Sequence, residues 1–288
     1  MGIDLDAAPG PDAFVPSDAF VSPDATPDAP GTMTCSPMIM NVEGTYRVGR
    51  SFTMNRMKTR AAMLTFDSTA QVWKVSVGDA ASVDTVAPQF VEQIAPGGNT
   101  AELAYPRMTP DGTTIFMTAH DAADQQYGAY SNRIAANAMW SVPRPLFLQD
   151  TNGLPKPAMF GLVLGTPTET SPRRMPISYD TANLREFEEV AQDTWRERAD
   201  TTAATLGVTL IREPNFTPDG LRVVFVGQKP IGSVGIFSAT RTMIGQPWNQ
   251  AVVLLDDLQS AEGSAFLAAD CSVLFYDNSN ADIVNRAR

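Results

Sequence analysis

The chain has 288 residues, with 21 Lys and Arg against 32 Asp and Glu, two cysteines and one histidine. A net charge of −11 argues against nucleic-acid binding, which needs a clustered basic face, and no apolar run is long enough to span a membrane. One histidine and two cysteines exclude multi-histidine and four-cysteine zinc sites, phosphate-loop, dinucleotide and G-x-S-x-G motifs are absent, and no cofactor is expected.

Residues 1–32 carry six Asp and six Pro but no Lys, Arg or Glu, and Pro-Asp-Ala recurs at 11–13, 23–25 and 27–29. Proline removes backbone donors, and like charges repel. Ordering such a segment costs about 1–2 kcal/mol per residue, with little apolar surface to offset it. Residues 1–34 are therefore predicted to be a disordered tether, with the folded domain spanning 35–288. The composition resembles the spacer behind the lipid-modified cysteine of bacterial envelope lipoproteins. That resemblance implies an extracytoplasmic protein, in the periplasm or tethered to the outer membrane, with a lipid anchor upstream of the visible chain. Met1-Gly2 would then replace a removed export signal. The alternative is a complete cytoplasmic chain.

Beyond the tether the sequence repeats. Tyr105-Pro-Arg-Met-Thr-Pro-Asp-Gly112 aligns without gaps with Glu213-Pro-Asn-Phe-Thr-Pro-Asp-Gly220. Asp111 and Asp219, Arg133 and Arg241, and Trp140 and Trp248 all share an offset of 108 residues. Trp195 falls near the midpoint of the last pair, so 108 reads as two units of about 54. A further copy runs from Ser264 to Tyr276 around Asp270, and Arg60–Asp67 with Gln71–Val77 form a fainter first one.

One unit has a clear physical reading. Thr-Pro-Asp-Gly is a β-turn: Pro sets φ, Asp bonds its local backbone, and Gly takes a positive φ. Asp111, Gly112, Asp219, Gly220 and Asp270 are thus structural turn residues. Strands are expected at Thr114–Thr118 and Arg222–Val226, at Ala129–Ile134 and Gly235–Arg241, and at Pro145–Gln149 and Ala251–Leu255. In the third unit Pro157–Phe160 and Leu162–Gly165 would supply the first strands. Asp180–Gly207 reads either as strands, with Arg185–Val190 the third of its blade, or as a helix capped by Asp180. The Trp195 spacing favours strands.

Four-stranded antiparallel units in series predict an all-β fold, a single β-propeller. Residues 36–288 hold just under five units of 54, so five blades are expected. Six would need about 42 residues each, and 108 is not a multiple of 42. The last unit ends before a fourth strand, so Cys35–Val48 is expected to supply it and close the ring. Thr109–Gly112, Thr217–Gly220 and Ala268–Cys271, each followed by an apolar strand, resemble the WD40-like PD40 repeat of TolB-type propellers. The likeness covers roughly residues 50–288.

Several residues were candidates for chemistry. His120 beside Asp121 and Asp124 has the partners of a base, but reads as a solvated loop residue. Asp277–Asp282 alternates oxygen ligands like a calcium loop but lacks the closing Glu, so no metal is assigned. Glu186, Glu188 and Glu189 form a cluster that could supply a glycosidase carboxylate. Arg173, Arg174, Arg196 and Arg198 read as solvated charge, and the 13 methionines as core filler. No catalytic or ligand-binding residue is assigned. Cys35 and Cys271 are candidates for a disulfide that locks the seam of the ring; the alternative is two thiols. The expected function is a monomeric, non-catalytic binding or scaffold propeller of the cell envelope, for an unknown protein or glycan partner. The alternative is a polysaccharide-acting hydrolase or lyase.

Overall fold

A computed structural model describes residues 41–46, 50–79, 89–98, 100–135, 138–157, 159–258, 264–277 and 283–287. The predicted tether and Cys35 lie outside these residues. The first strand is β1 (Asn41–Tyr46). Blade 1 follows, with β2 (Arg50–Met54), β3 (Arg60–Asp67), β4 (Val72–Asp79) and β5 (Gln89–Ile94). Blade 2 holds β6 (Thr100–Met108), β7 (Thr114–Asp121), β8 (Gln126–Asn132) and β9 (Arg144–Pro145). Next comes β10 (Phe147–Gln149), and then β11 (Val163–Leu164), β12 (Arg174–Ser178), β13 (Asn183–Ala191) and β14 (Thr194–Thr202) of blade 3. Blade 4 holds β15 (Leu210–Phe216), β16 (Arg222–Gln228), β17 (Val234–Thr240) and β18 (Val252–Leu258). Blade 5 holds β19 (Ala265–Leu267), β20 (Val273–Asp277) and β21 (Ile283–Ala287), and β1 pairs antiparallel with β21 as its fourth strand.

These five sheets form a β-propeller closed by the N-terminal strand. The innermost strands touch in a ring: β2 meets β6, β6 meets β11, β11 meets β15, β15 meets β19, and β19 returns to β2. Five apolar clusters fill the five gaps between blades. The pattern follows from the two-residue period of a strand. On β16, Val223 and Phe225 face blade 3, whereas Val224 and Val226 face blade 5. On β20, Val273 and Phe275 pack against Phe52 and Met54 of blade 1, and Leu274 and Tyr276 against blade 4. Both faces of these strands are buried, so they read as continuous apolar runs rather than alternating ones. Met54, Met63, Met108, Met117 and Met175 are core residues.

The turn between the first two strands recurs with one geometry. Asn55, Thr109, Thr217 and Ala268 each donate their N–H across the turn, to Arg60, Thr114, Arg222 and Val273. Lys58, Gly112, Gly220 and Cys271 occupy the same left-handed position, with φ between 56° and 72°. Asp111 Oδ1 accepts from Thr109 Oγ1 and the Thr113 amide, and Asp219 Oδ1 repeats this with Thr217 and Leu221. In blade 3 the Thr168 N–H reaches Arg174 instead, and Thr168 Oγ1 accepts from the Arg174 amide as Thr109 and Thr217 do in theirs. The hydroxyl is kept and the turn is longer, which is why Pro-Asp-Gly is missing there.

Blade 3 follows the sequence reading in one respect and departs from it in two. Asp180–Gly207 carries strands rather than a helix, as the Trp195 spacing favours, with Arg185–Val190 inside β13, the third strand of the antiparallel set, and β14 after it. Pro157–Phe160 forms no strand of the blade, which begins at β11. Pro145–Gln149 is not one strand: Leu146 N donates to Gly128 of blade 2, whereas Phe147 N donates to Asp193 of blade 3. There β10 runs parallel to β14 as a fifth strand. Trp195 lies within β14, while Trp140 and Trp248 sit in loops before the fourth strands, so the three tryptophans are not equivalent. Gly165, just past β11, needs to be glycine: a Cβ there would stand 2.1 Å from the Pro214 carbonyl oxygen of blade 4.

Candidate functional site

Among the described residues the channel between the inner strands widens into a cavity at one end. At the other end the recurrent turns meet. Arg56 N donates to Pro110 O, and Glu169 N to Pro218 O. Lys58 Nζ pairs with Asp270, and only about 10 Å³ of void remains among Met54, Pro110, Phe216, Phe266 and their neighbours.

Above these turns lies a buried polar layer. The Arg107 guanidinium is fully buried. It donates to Glu213 Oε2 and Ser264 Oγ, both at 3.2 Å, and to Pro106 O. Asn215 donates to the Ala265 and Glu213 carbonyls and accepts from Thr166. Each of these groups comes from an inner strand or its immediate flank, so the layer is a property of the repeat.

The open end holds a cavity of about 610 Å³, within the range of roughly 300–1,000 Å³ usual for small-molecule sites. Its floor includes Ser51, Tyr105 and Glu213. All three have positive φ, each lies four residues before its turn, and each sits at a register shift between the first two strands of its blade. Such a bulge re-aims a side chain out of the alternation of the strand. Here it points three side chains at the channel. Arg50 and Arg212, one residue earlier in blades 1 and 4, also line the cavity.

Asp277, at the end of β20, completes the floor. Its carboxylate accepts from the Ser51 amide at 3.1 and 3.2 Å. Burial, then the nearby charge of Glu213, push it up to about 8, against the opposing pull of the Ser51 amide, Arg107 and Arg50. Glu213 is also raised by burial, with Arg107 acting in the other direction. Burial likewise raises the Tyr105 phenol.

The rim comes from the second and third strands. Glu102 lies directly opposite His120 across the β6–β7 ladder, and both line the cavity. His120 Nδ1 is 2.9 Å from Asp124 Oδ1, while Asp121 caps its own turn by accepting from the Ala123 and Gln125 amides. The only histidine is therefore part of the cavity wall rather than a loop residue turned to solvent. Tyr179 and Asp180 contribute from blade 3. Lys156 Nζ donates to the Tyr179 hydroxyl and lies 4.9 Å from its ring, and Arg185 is 4.5 Å from the same ring while holding Asp180.

Other sequence candidates fall elsewhere. Glu186, Glu188 and Glu189 lie on β13, away from the channel, and all are bound by arginine. Glu186 meets Arg174 and Arg241, Glu188 meets Arg174 and Arg198, and Glu189 meets Arg173. Arg173, Arg174 and Arg198 are thus pairing groups rather than solvated charge, and Arg196 donates to Gln149. Of the calcium-like run, Asp277 is in the floor, and 278–282 lie outside the described residues. Among the described residues no group of three or more His, Cys, Asp or Glu side chains could hold a metal ion. No helix among them is long and apolar enough to cross a membrane. Asp111, Gly112, Asp219, Gly220 and Asp270 all sit in the recurrent turns between first and second strands. Sequence reasoning missed Glu102, Tyr105, Glu213 and Arg212 as site residues. The signal was present in part, since Tyr105 and Glu213 share the 108-residue offset.

No family model and no curated protein matches the chain. Solved structures do. An endo-arabinase from Bacteroides thetaiotaomicron superposes with a TM-score of 0.59 at 12% identity, over 86% of this chain and 96% of that one. The periplasmic gluconolactonase PpgL of Pseudomonas aeruginosa gives 0.51 at 9% identity, over 82% and 80%. TolB from Acinetobacter baumannii gives 0.49 at 11% identity over 83% of this chain, which spans about half of that structure, 54%. At these identities the likeness is one of fold, and the fold this chain shares with the first two is the propeller.

Proposed function

We propose that the chain is a non-catalytic binding propeller of the bacterial cell envelope, which holds a small polar ligand in the channel cavity. The observation that carries this reading is the state of the deepest carboxylates. Glu213 is committed to Arg107, and Asp277 accepts the Ser51 amide. A glycosidase needs one protonated and one ionised carboxyl group exposed to substrate on opposite sides of a bond. Here the two deepest groups are buried together in one layer. The repeated turns support a PD40-like relationship to TolB-type propellers. The acidic Pro-Asp-Ala segment supports residues 1–34 as an envelope tether and residues 35–288 as the propeller, acting as a monomer.

One observation favours the alternative, a polysaccharide-acting hydrolase. Asp277 stays protonated to about pH 8, as a general acid must, and Glu102 shares its cavity. Turnover separates the two readings. The full chain is incubated with 4-nitrophenyl glycosides and with arabinan, xylan and galactan fragments. No release is expected. Release abolished by Asp277→Asn or Glu102→Gln would overturn the binding reading. Fractionation of the source cells, with the chain expected in the envelope fraction, tests the location.

A further inference from the structure

We propose that the cavity is a carbohydrate site, in which a sugar ring stacks on Phe160 at the mouth and its hydroxyls are bound by Glu102 and His120. This rests on the reading of the cavity as a ligand site. Phe160 is 87% exposed, yet it belongs to the cavity lining. Single exposed apolar residues on a surface need no explanation. This one differs because the backbone beside it is fixed. Leu162 N donates to Gln126 Oε1 at 2.9 Å, and Leu162 O accepts from Thr118 Oγ1 at 2.8 Å, so blade 2 holds the segment from both backbone groups. Gly161 between them takes a φ of 74°. The ring is thus presented from a turn that is pinned two residues later, at Leu162, just before β11.

Of the other aromatic side chains of the cavity, the Tyr179 ring has Lys156 and Arg185 against it, Trp73 has Arg50 at 5.9 Å and Phe66 at 5.2 Å, and Tyr105 lies in the floor. Phe160 is the most exposed of the four, and among the described residues no ring or cation lies against it. A sugar ring has an apolar C–H face and an edge of hydroxyls. The matching site is an aromatic plane beside a few fixed acceptors and donors. Glu102 supplies two acceptor oxygens. His120, turned by Asp124 at Nδ1, leaves its other ring nitrogen for a hydroxyl. Ser178, Thr181 and Gln126 add smaller polar groups to the same wall.

The test uses the full chain and a panel of neutral tetrasaccharides of arabinose, xylose, glucose and galactose. Binding is read by saturation-transfer NMR and then by calorimetry. At least one sugar should bind with one site per chain. Phe160→Ala should weaken it at least tenfold with no change in Tm, since the side chain is outside the core, and Phe160→Trp should preserve it. Glu102→Gln should weaken it several-fold. Failure of all four sugars to bind, or equal binding by Phe160→Ala, overturns the assignment and leaves the cavity to ligands of another class. Cleavage of a bound sugar would overturn the non-catalytic reading while the carbohydrate assignment stands.

Discussion

Asp277 couples the channel to pH. It faces Glu213, Arg107 and Arg50 and accepts the Ser51 amide. Its folded value of about 8 lies far above the 3.8 of a free aspartate, so between these limits the folded chain binds a proton that the unfolded chain releases. The stability from this group is therefore complete below about pH 4 and is lost as pH rises towards 8. Glu213 is shifted in the same direction. Urea unfolding at pH 5.5, 6.5 and 7.5 should show stability falling with pH, Asp277 alone contributing up to about 1.4 kcal/mol per pH unit. Asp277→Asn keeps an acceptor for Ser51 and should flatten that slope; an unchanged slope would show that Asp277 is ionised in the fold. None of this was legible at residue level in the sequence. Asp277 read as the first oxygen of a calcium loop, because its real partners lie 64 or more positions away in the chain. The bulges that gather them are tertiary features without a composition signal of their own.

The 108-residue offset marks a clamp between neighbouring blades. Arg241 of blade 4 reaches back to Glu186 of blade 3 at 2.6 Å, donates to Gly220 O, and lies 4.2 Å from the Trp248 ring. Arg133 of blade 2 reaches back to Glu92 of blade 1 at 3.7 Å and lies 5.0 Å from the Trp140 ring. The two copies differ in burial: Glu186 is buried, whereas the Glu92 side chain is 38% exposed. Removing one partner of a buried pair costs up to about 3–5 kcal/mol, less where the other partner keeps a second ion pair as Glu186 does with Arg174, and an exposed pair contributes up to about 1. Chemical denaturation should therefore show Arg241→Ala to be several times more destabilising than Arg133→Ala. Equal losses would mean that ring contact with tryptophan, not the ion pair, is the common element. Blades 2 and 4 were legible because clamp and turn recur there at fixed spacing. Blade 3 was not, because Thr168 keeps its hydroxyl while the turn lengthens, and because adjacent residues Leu146 and Phe147 serve different sheets. No local propensity distinguishes those two residues; the sheet they join is set by packing.

Closure decides the stability of the whole ring, and it places the two ends of the domain in one blade. Chain beginning at Arg50 would leave blade 5 with β21 as an open edge, so removal of β1 should cause loss of cooperative unfolding and association through that edge, seen by calorimetry and light scattering. Removal of residues 1–32 should cause neither. The same closure bears on the cysteines. Asn41 pairs with Ala287, and Ala287 pairs with Val273, so the start of β1 stands two ladder spacings, roughly 10 Å, from a residue two positions after Cys271. Six Cα–Cα steps lead from Cys35 to Asn41 and can span up to about 20 Å, enough to bring the two Cα atoms within the roughly 7 Å that a disulfide requires. Cys271 is buried in the apolar cluster between blades 4 and 5, and it holds a φ of 59° in the position that glycine occupies in blades 2 and 4. A side chain there costs about 1–2 kcal/mol that glycine would not. A bridge from Cys35 to Cys271 would outweigh that strain, because closing a loop of this length contributes about 5.5 kcal/mol in the chain-entropy model. The two possibilities therefore give Cys271→Gly opposite signs. If the bridge forms, the variant loses stability under non-reducing conditions and matches or exceeds the parent chain once both are reduced. If it does not, relief of the left-handed strain, set against the loss of a small buried side chain, leaves the variant at least as stable in both conditions. Denaturation of both chains with and without reductant, alongside non-reducing peptide mapping for the 35–271 crosslink, decides between them.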